Sequence, residues 1–499
     1  MSDLLGTAEG AATPPHPRVG SLREPPWPLL VWAAMLGWFA VLFFLVREHF
    51  LEFKLQRYDL GNMVQAVWST AEGRPLETTL ATGDQAARLA AHVDPILVLF
   101  APLWIVWPSP LSLAAVQIAA CALGALPVFW LGRRHLDSES AAGLLTLAYL
   151  AYPWLAWTAI DAIHPVTLAI PLSLYAIWFL DSKQLWAFVF CAVLIAATGE
   201  LMGAPIAILG LWYWLSRGRR RAGIAIACAG VVWTVICLKV IVPYFSGSES
   251  PFYSYFTAVG GSPEGVLRTV FTDPGAIATA LGTGRDLVYL LALAVPLAGA
   301  FLLAPTLASV ALPQLVANGL SSIEGTTDPS GHHVAGVIPF LIAASVLGLA
   351  RVPSARRVAV TAAVLALSLG FSFALGPWPG MPAQRSPYGA PSADRVDALR
   401  DAVMLIPNEA PVAATTKAGS HLSARRYFYS VPVLRRAEWV IVDLRDRWLP
   451  LPPLDSDRPT WGREDPALLE AFRVRLETSS DWRKVFERSG VFVFRKVPS

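Results

Sequence analysis

Charge is scarce along most of this chain, and that scarcity excludes most soluble folds. Asp, Glu, Lys and Arg make up only 15% of 499 residues while hydrophobic residues make up 55%, a balance that no ordinary water-soluble domain shows. Cysteine is rare as well: Cys121, Cys191, Cys228 and Cys237 all lie in apolar segments, spaced for neither a disulfide framework nor a zinc site. The first 26 residues are rich in Pro, Gly and Ala. They lack a cleavable signal pattern, because the apolar run behind them is as long as a full span and reads as an anchor. No internal repeat of transporter type stands out. A net charge of +3 decides little, and nothing points to nucleic acid as a partner.

What the chain does have is a succession of apolar segments. The hydropathy predicts an α-helical polytopic membrane protein of about eleven spans, followed by a small α/β domain. Residues 381–499 hold 34 of the 75 charged side chains, which marks the change from membrane to water. The first span, Trp27–Val46, follows Arg18 and Arg23, so the positive-inside rule keeps the N-terminus cytoplasmic. Pro95–Trp107 is too short to cross and suits an interfacial or re-entrant helix. Arg133-Arg134, the Arg217–Arg221 cluster and Arg351, Arg356 and Arg357 then all fall on the inner side. The expected organisation is a tail at 1–26, a membrane domain at 27–376 with its first outer loop at 47–110, a Pro-rich linker at 377–392 and an extracytoplasmic α/β domain at 393–499. In that domain, Ala393–Ile406 and Pro466–Thr478 read as helices, Pro411–Thr416 and Trp439–Asp443 as strands, and Lys484–Phe494 as a hairpin across Ser489-Gly490. It carries no Gly-rich phosphate loop, no paired metal ligands and no nucleophile signature.

The ionisable residues beside the spans collect on the predicted outer face, where they carry a functional expectation that surface charges lack. Leu60, Met63, Val64, Val67 and Trp68 share one face of a helix, which puts Asp59 at its N-cap; it reads either as a capping acid or as a chemical group. His92 and Asp94 stand just before Pro95, and Asp161 and His164 just before Pro165. Either acid fits the N-terminus of the helix that its proline begins. Glu200 lies between two short apolar runs and needs a partner or water. His332 and His333 open a span from the outside, in reach of a phosphate or of the interface. Lys239 either snorkels or holds an anionic head group. A group of carboxylates and imidazoles there suits a divalent ion or a general base.

Six motifs carry a resemblance: Tyr-Asp-Leu-Gly-Asn-Met-Val-Gln-Ala-Val-Trp (58–68), His-Val-Asp-Pro-Ile-Leu (92–97), Pro-Ser-Pro-Leu (108–111), Asp-Ala-Ile-His-Pro (161–165), Leu-Pro-Gln-Leu-Val-Ala-Asn-Gly-Leu-Ser-Ser (312–322) and His-His-Val-Ala-Gly-Val-Ile-Pro-Phe (332–340). Together they resemble a family of prokaryotic predicted membrane proteins, a domain of unknown function. That family looks like a branch of the GT-C clan, the integral-membrane glycosyltransferases that use polyprenyl-phosphate sugars. The resemblance implies an acid in the first outer loop, juxtamembrane helices in that loop and often a soluble outer C-terminal domain. Asp59 stands at the position of that acid. It also implies transfer of a sugar from a polyprenyl-phosphate donor to an envelope acceptor. Asp59 would be catalytic, His92, Asp94, Asp161, His164 and Glu200 supporting or metal-binding, and Lys239, His332 and His333 on the donor phosphate. Leu60, where many clan members have a second acid, leaves the cofactor open, with Mg or Mn as the divalent candidates. The competing class is a transporter, flippase or envelope-assembly scaffold, in which the same acids form an ion path.

Overall fold

The computed structural model describes residues 25–381, 391–446, 449–450, 461–463 and 466–498. The N-terminal tail and most of the Pro-rich linker lie outside them. The chain enters in α1 (Trp27–Leu51), turns through Arg57–Gly61 into α2 (Asn62–Ala71), forms a hairpin of β1 (Glu77–Thr79) and β2 (Gln85–Ala87), and reaches α3 (Ala101–Val106) through a 3-10 turn at Pro95–Phe100. That short segment is the one hydropathy marks as too short to cross. α4 (Pro110–Leu123) runs on into α5 (Ala125–His135), and α6 (Glu139–Ala151) continues at a bend of 47° into α7 (Pro153–Ile160). Next come α8 (Ala169–Asp181), α9 (Leu185–Ala196) and α10 (Gly203–Arg217). α11 (Arg220–Ile236) extends through a π-turn into α12 (Val242–Ser246).

The following stretch holds α13 (Pro263–Thr272) and α14 (Pro274–Leu281). Their start signals are local. Ser262 and Asp273 accept the Gly265 and Ala276 amides, each with a proline in the first turn, and Thr283 with Asp286 forms a capping box for α15 (Gly284–Ala294). Beyond α15 the chain breaks at left-handed Ala298 and Gly299 before α16 (Pro305–Ala308) and α17 (Leu312–Leu320). α18 (Ile338–Leu349) and α19 (Ser354–Leu375) complete the body. Among the described residues four helices are long and apolar enough to cross a membrane, or six if each of two bent pairs is one span. The fold is thus that of a helical membrane protein.

Two faces can be told apart from contacts alone. On one, Trp27 at the start of α1 bonds Ser140 beside the start of α6 (3.1 Å), and Arg357 near the start of α19 donates to the Leu136 carbonyl after α5 (2.9 Å). On the other, Trp157 near the end of α7 donates to the carbonyl of Leu375, the last residue of α19 (2.6 Å).

The C-terminal unit rests on this second face. It begins with α20 (Ala393–Met404), β3 (Val412–Ala414), α21 (Thr416–Leu422), β4 (Phe428–Ser430) and β5 (Trp439–Asp443). A short pair, β6 (Leu449–Pro450) with β7 (Trp461–Arg463), then α22 (Pro466–Thr478), β8 (Trp482–Arg488) and β9 (Val491–Lys496) follow. Its five-stranded sheet has the order β4-β3-β5-β9-β8, with β3 parallel to β4 and β5, and β9 antiparallel to β5 and β8. Alternate residues serve opposite faces: Val412, Ile441 and Val493 pack with Leu399 and Ala418, while Ala413, Val442 and Phe494 pack with Leu469 and Phe472. A sheet covered by helices on both sides explains why its strands are apolar at successive positions.

Candidate functional site

Asp59 does not cap α2. The first turn is widened over Arg57–Gly61, α2 begins only at Asn62, and the residue before it is Gly61. The C-terminal unit packs directly against this turn. A Cβ on Gly61 would lie 2.5 Å from the Ser423 hydroxyl oxygen, and one on Gly419 2.7 Å from the Arg57 Cβ, so only glycine lets the turn and α21 touch. Arg57, fully buried, donates to the carbonyls of Thr79 (2.8 Å) and Phe428 (3.1 Å) and to the Ser430 hydroxyl, with its guanidinium 4.7 Å from the Phe428 ring. Gln65 adds bonds to Thr79 and to the carbonyls of Arg425 and Arg426. These bonds fix the loop that carries Asp59.

Against Asp59 stands His164, in the turn between α7 and α8, its Nε2 3.6 Å from the Asp59 Oδ1. The ring nitrogen Nδ1 lies 2.7 Å from the Asp161 carbonyl; because a carbonyl only accepts, Nδ1 carries the proton and Nε2 faces Asp59. Asp161 in turn accepts from the backbone N–H of His332 (2.8 Å) and lies 3.0 Å from its Nδ1. The rings of His164 and His332 stack at 3.5 Å, and His333 follows at 4.2 Å. Burial pushes His164 towards the neutral form, yet Asp161 and Asp59 together outweigh it and raise its pKa. Burial, then the neighbouring imidazoles, push His332 and His333 well below the usual range. The result is one imidazole poised towards the cation beside two held neutral.

Two buried amides hold this arrangement, and sequence reasoning passed over both. Gln117 of α4 accepts the His164 N–H (3.0 Å) and donates to the carbonyls of Ala159 (3.0 Å) and Ala162 (2.9 Å). Asn318 of α17 donates to the His333 carbonyl (3.0 Å) and to Tyr289, and accepts from Gln314. An uncharged amide inside an apolar run was the available signal, because such a group needs partners there.

The other expected residues lie apart in bonding. Glu200 accepts from the Val93 N–H (3.1 Å) and lies 3.3 Å from His92, which stacks on Phe252. Burial disfavours the Glu200 charge, but His92 and nearby backbone N–H groups prevail and hold its carboxyl below the usual range. Asp94 forms a buried pair with Arg88 (2.7 Å) and makes no cap bond to the turn at Pro95. Lys239 pairs with Glu264 at 2.7 Å and is 40% exposed. His92 still belongs to the surroundings of the cluster, since its charge would act on His332 and His333.

Asp161, His164 and His332 offer donor atoms within 4.8 Å of one another. Two imidazoles and a carboxylate fit a divalent ion, with nitrogen donors favouring Mn or Zn over Mg.

No protein of curated function matches the chain in sequence. Among solved structures, ArnT from Cupriavidus metallidurans bound to undecaprenyl phosphate is similar at 14% identity and a TM-score of 0.51, covering 95% of this chain and 98% of its own. The apo state of the same protein is similar at 14% identity and a TM-score of 0.51, covering 94% and 98%. This chain therefore shares the fold of ArnT over most of its length. Residues 50–493, which include every residue of the cluster, match the predicted membrane protein family DUF2079, and the chain belongs to that family.

Proposed function

We propose that this protein is a membrane glycosyltransferase of GT-C type that transfers a sugar from a polyprenyl-phosphate donor to an envelope acceptor. The observation that carries the reading is the pairing of Asp59, on the loop after α1, with His164 and Asp161 beneath the C-terminal unit. A fold shared with a protein whose structure holds undecaprenyl phosphate supports it. In this reading the body 27–376 spans the membrane eleven times with residues 1–26 inside. Loop 47–110 and the unit 393–499 lie outside, joined by 377–392.

The acceptor hydroxyl oxygen attacks the anomeric carbon, the bond from that carbon to the phosphate oxygen breaks, and polyprenyl phosphate leaves with the electron pair. Asp59 takes the hydroxyl proton. His164 holds Asp59 ionised until it does, and Asp161 keeps the His164 and His332 rings in place. His333, held neutral, presents an N–H group to the donor phosphate, while His332, whose Nδ1–H is directed at Asp161, borders the phosphate and holds His333 against it; Lys239 joins them only by exchanging Glu264 for that phosphate. His92, Asp94 and Glu200 support the loops around the cluster. A divalent ion on Asp161, His164 and His332, when bound, would supply positive charge for the leaving phosphate.

The test is transfer of radiolabelled sugar from a panel of polyprenyl-phosphate donors into lipid or glycan, in membranes matched for protein. Wild-type membranes should transfer, and Asp59→Asn should lose activity by about 10²-fold or more, the usual weight of a general base. Equal activity of the two removes Asp59 from the chemistry. No transfer from any donor would favour a scaffold instead.

A further inference from the structure

The face that holds the start of α1 carries a second polar concentration, which the proposed reaction does not use. α8 begins beside the Asp59 cluster and ends at Asp181, roughly 20 Å away by helical rise. A cavity of about 400 Å³ opens there between the C-terminal ends of α5, α8 and α10, lined by Arg134, His135, Asp181, Lys183, Arg217 and Arg219. Four fixed cations face one carboxylate. Asp181, only 3% exposed, is shared among Arg134 Nε (3.2 Å), His135 Nε2 (3.0 Å) and Arg217. It holds those groups at the cavity wall and cannot neutralise them all. Lys183 and Arg219 have no carboxylate partner among the described residues.

The backbone is also arranged around this opening. Lys183 has a φ of +61° at the end of α8, where glycine would be the less strained choice. Gly218, at +66°, turns the chain between Arg217 and Arg219. Arg134 lies over Trp178 at 5.8 Å and Arg217 over Trp212 at 5.3 Å, cation–π contacts that help to keep both guanidinium groups at the cavity wall. A basic run at a helix end can act as a topology signal alone. That accounts for the charge but not for a cavity, and Arg220 and Arg221 of the same run do not line it.

We propose that this cavity binds a phosphate group, carried by an anionic phospholipid headgroup or by a soluble anion. Its net charge is positive, its volume suits a headgroup, and Arg and Lys between helix ends at a membrane surface are the groups that hold lipid phosphates. The inference is independent of the transfer reaction.

Native mass spectrometry of the full-length protein in detergent, with graded phosphatidylglycerol or phosphatidylcholine, tests the lipid source. Thermal melting with added inorganic phosphate tests the soluble one. The variants are Lys183→Gln with Arg219→Gln, and, as a matched loss of charge outside the cavity, Arg220→Gln with Arg221→Gln. A site requires saturable retention of phosphatidylglycerol over phosphatidylcholine, or a melting shift with phosphate. The first pair should weaken it at least fivefold and the second leave it within twofold. Retention identifies a lipid ligand, and a shift with phosphate alone a soluble one. Neither signal, or equal loss in both pairs, overturns the proposal.

Discussion

Gln117 shows how a single amide can govern chemistry it does not perform. Its side chain satisfies three backbone groups of the turn 159–164, and so sets how His164 meets Asp59. Gln117→Leu leaves those groups unpaired, each at a cost of about 1–3 kcal/mol. The turn should then shift, and left-handed Ala162 at its centre (φ +41°) is its strained point. We expect the transfer rate at saturating donor to fall at least tenfold while donor retention on the protein changes less than threefold. A fall in retention with an unchanged rate would place Gln117 in donor binding instead. The ionised members of the cluster were legible because charge beside an apolar segment is costly and therefore visible. Gln117, Asn318 and the buried Arg57 were not, because their roles depend on which turns pack against them.

At the scale of elements, α10 and α11 pack through opposed glycines rather than through side chains. A Cβ on Gly223 would lie 2.6 Å from the Gly210 carbonyl oxygen, and one on Gly230 2.4 Å from that of Gly203. Backbone contact of this kind is how helices associate where lipid offers no hydrophobic drive. Gly223→Val should lower the melting temperature of the purified protein by several degrees, from about 1–3 kcal/mol of overpacking. Gly37→Val, where a Cβ meets nothing within 4 Å, should leave it unchanged, and equal effects would deny the close approach its role. α20, β5, α22 and the β8–β9 hairpin were readable from the sequence, the last through Ser489 and Gly490, which do adopt positive φ (+50° and +78°). β1, β2 and β4 were not: three residues without a longer apolar run around them are too few to show a period, and their strand character comes from pairing, β1 with β2 inside the Asp59 loop and β4 with β3 inside the C-terminal unit.

For the molecule as a whole, that closure is the contact on which the site depends, and His421 makes it sensitive to acid. The ring sits between Phe50 (4.1 Å) and Phe53 (4.0 Å) of the membrane body, and its Nε2 donates to the Phe50 carbonyl (3.0 Å). Burial, opposed by that carbonyl and aided by Arg400, lowers its pKa from 6.5 to about 4. A freed C-terminal unit would expose His421 and restore the ordinary value. Between those two values the separated form binds more protons than the docked one. Docking is therefore at full strength above pH 6.5 and weakens as pH falls towards 4. At pH 5 the loss is about 2 kcal/mol, roughly thirtyfold in the docking equilibrium. Hydrogen exchange of residues 416–422, corrected for the intrinsic rate at each pH, should show protection falling by that order between pH 7.5 and 5 in the wild type. In His421→Phe, which keeps the stacking but cannot take a proton, protection should be level across that range. The same slope in both proteins would assign the acid sensitivity to another group, while a slope confined to the wild type would make this imidazole the latch between the sheet unit and the membrane body.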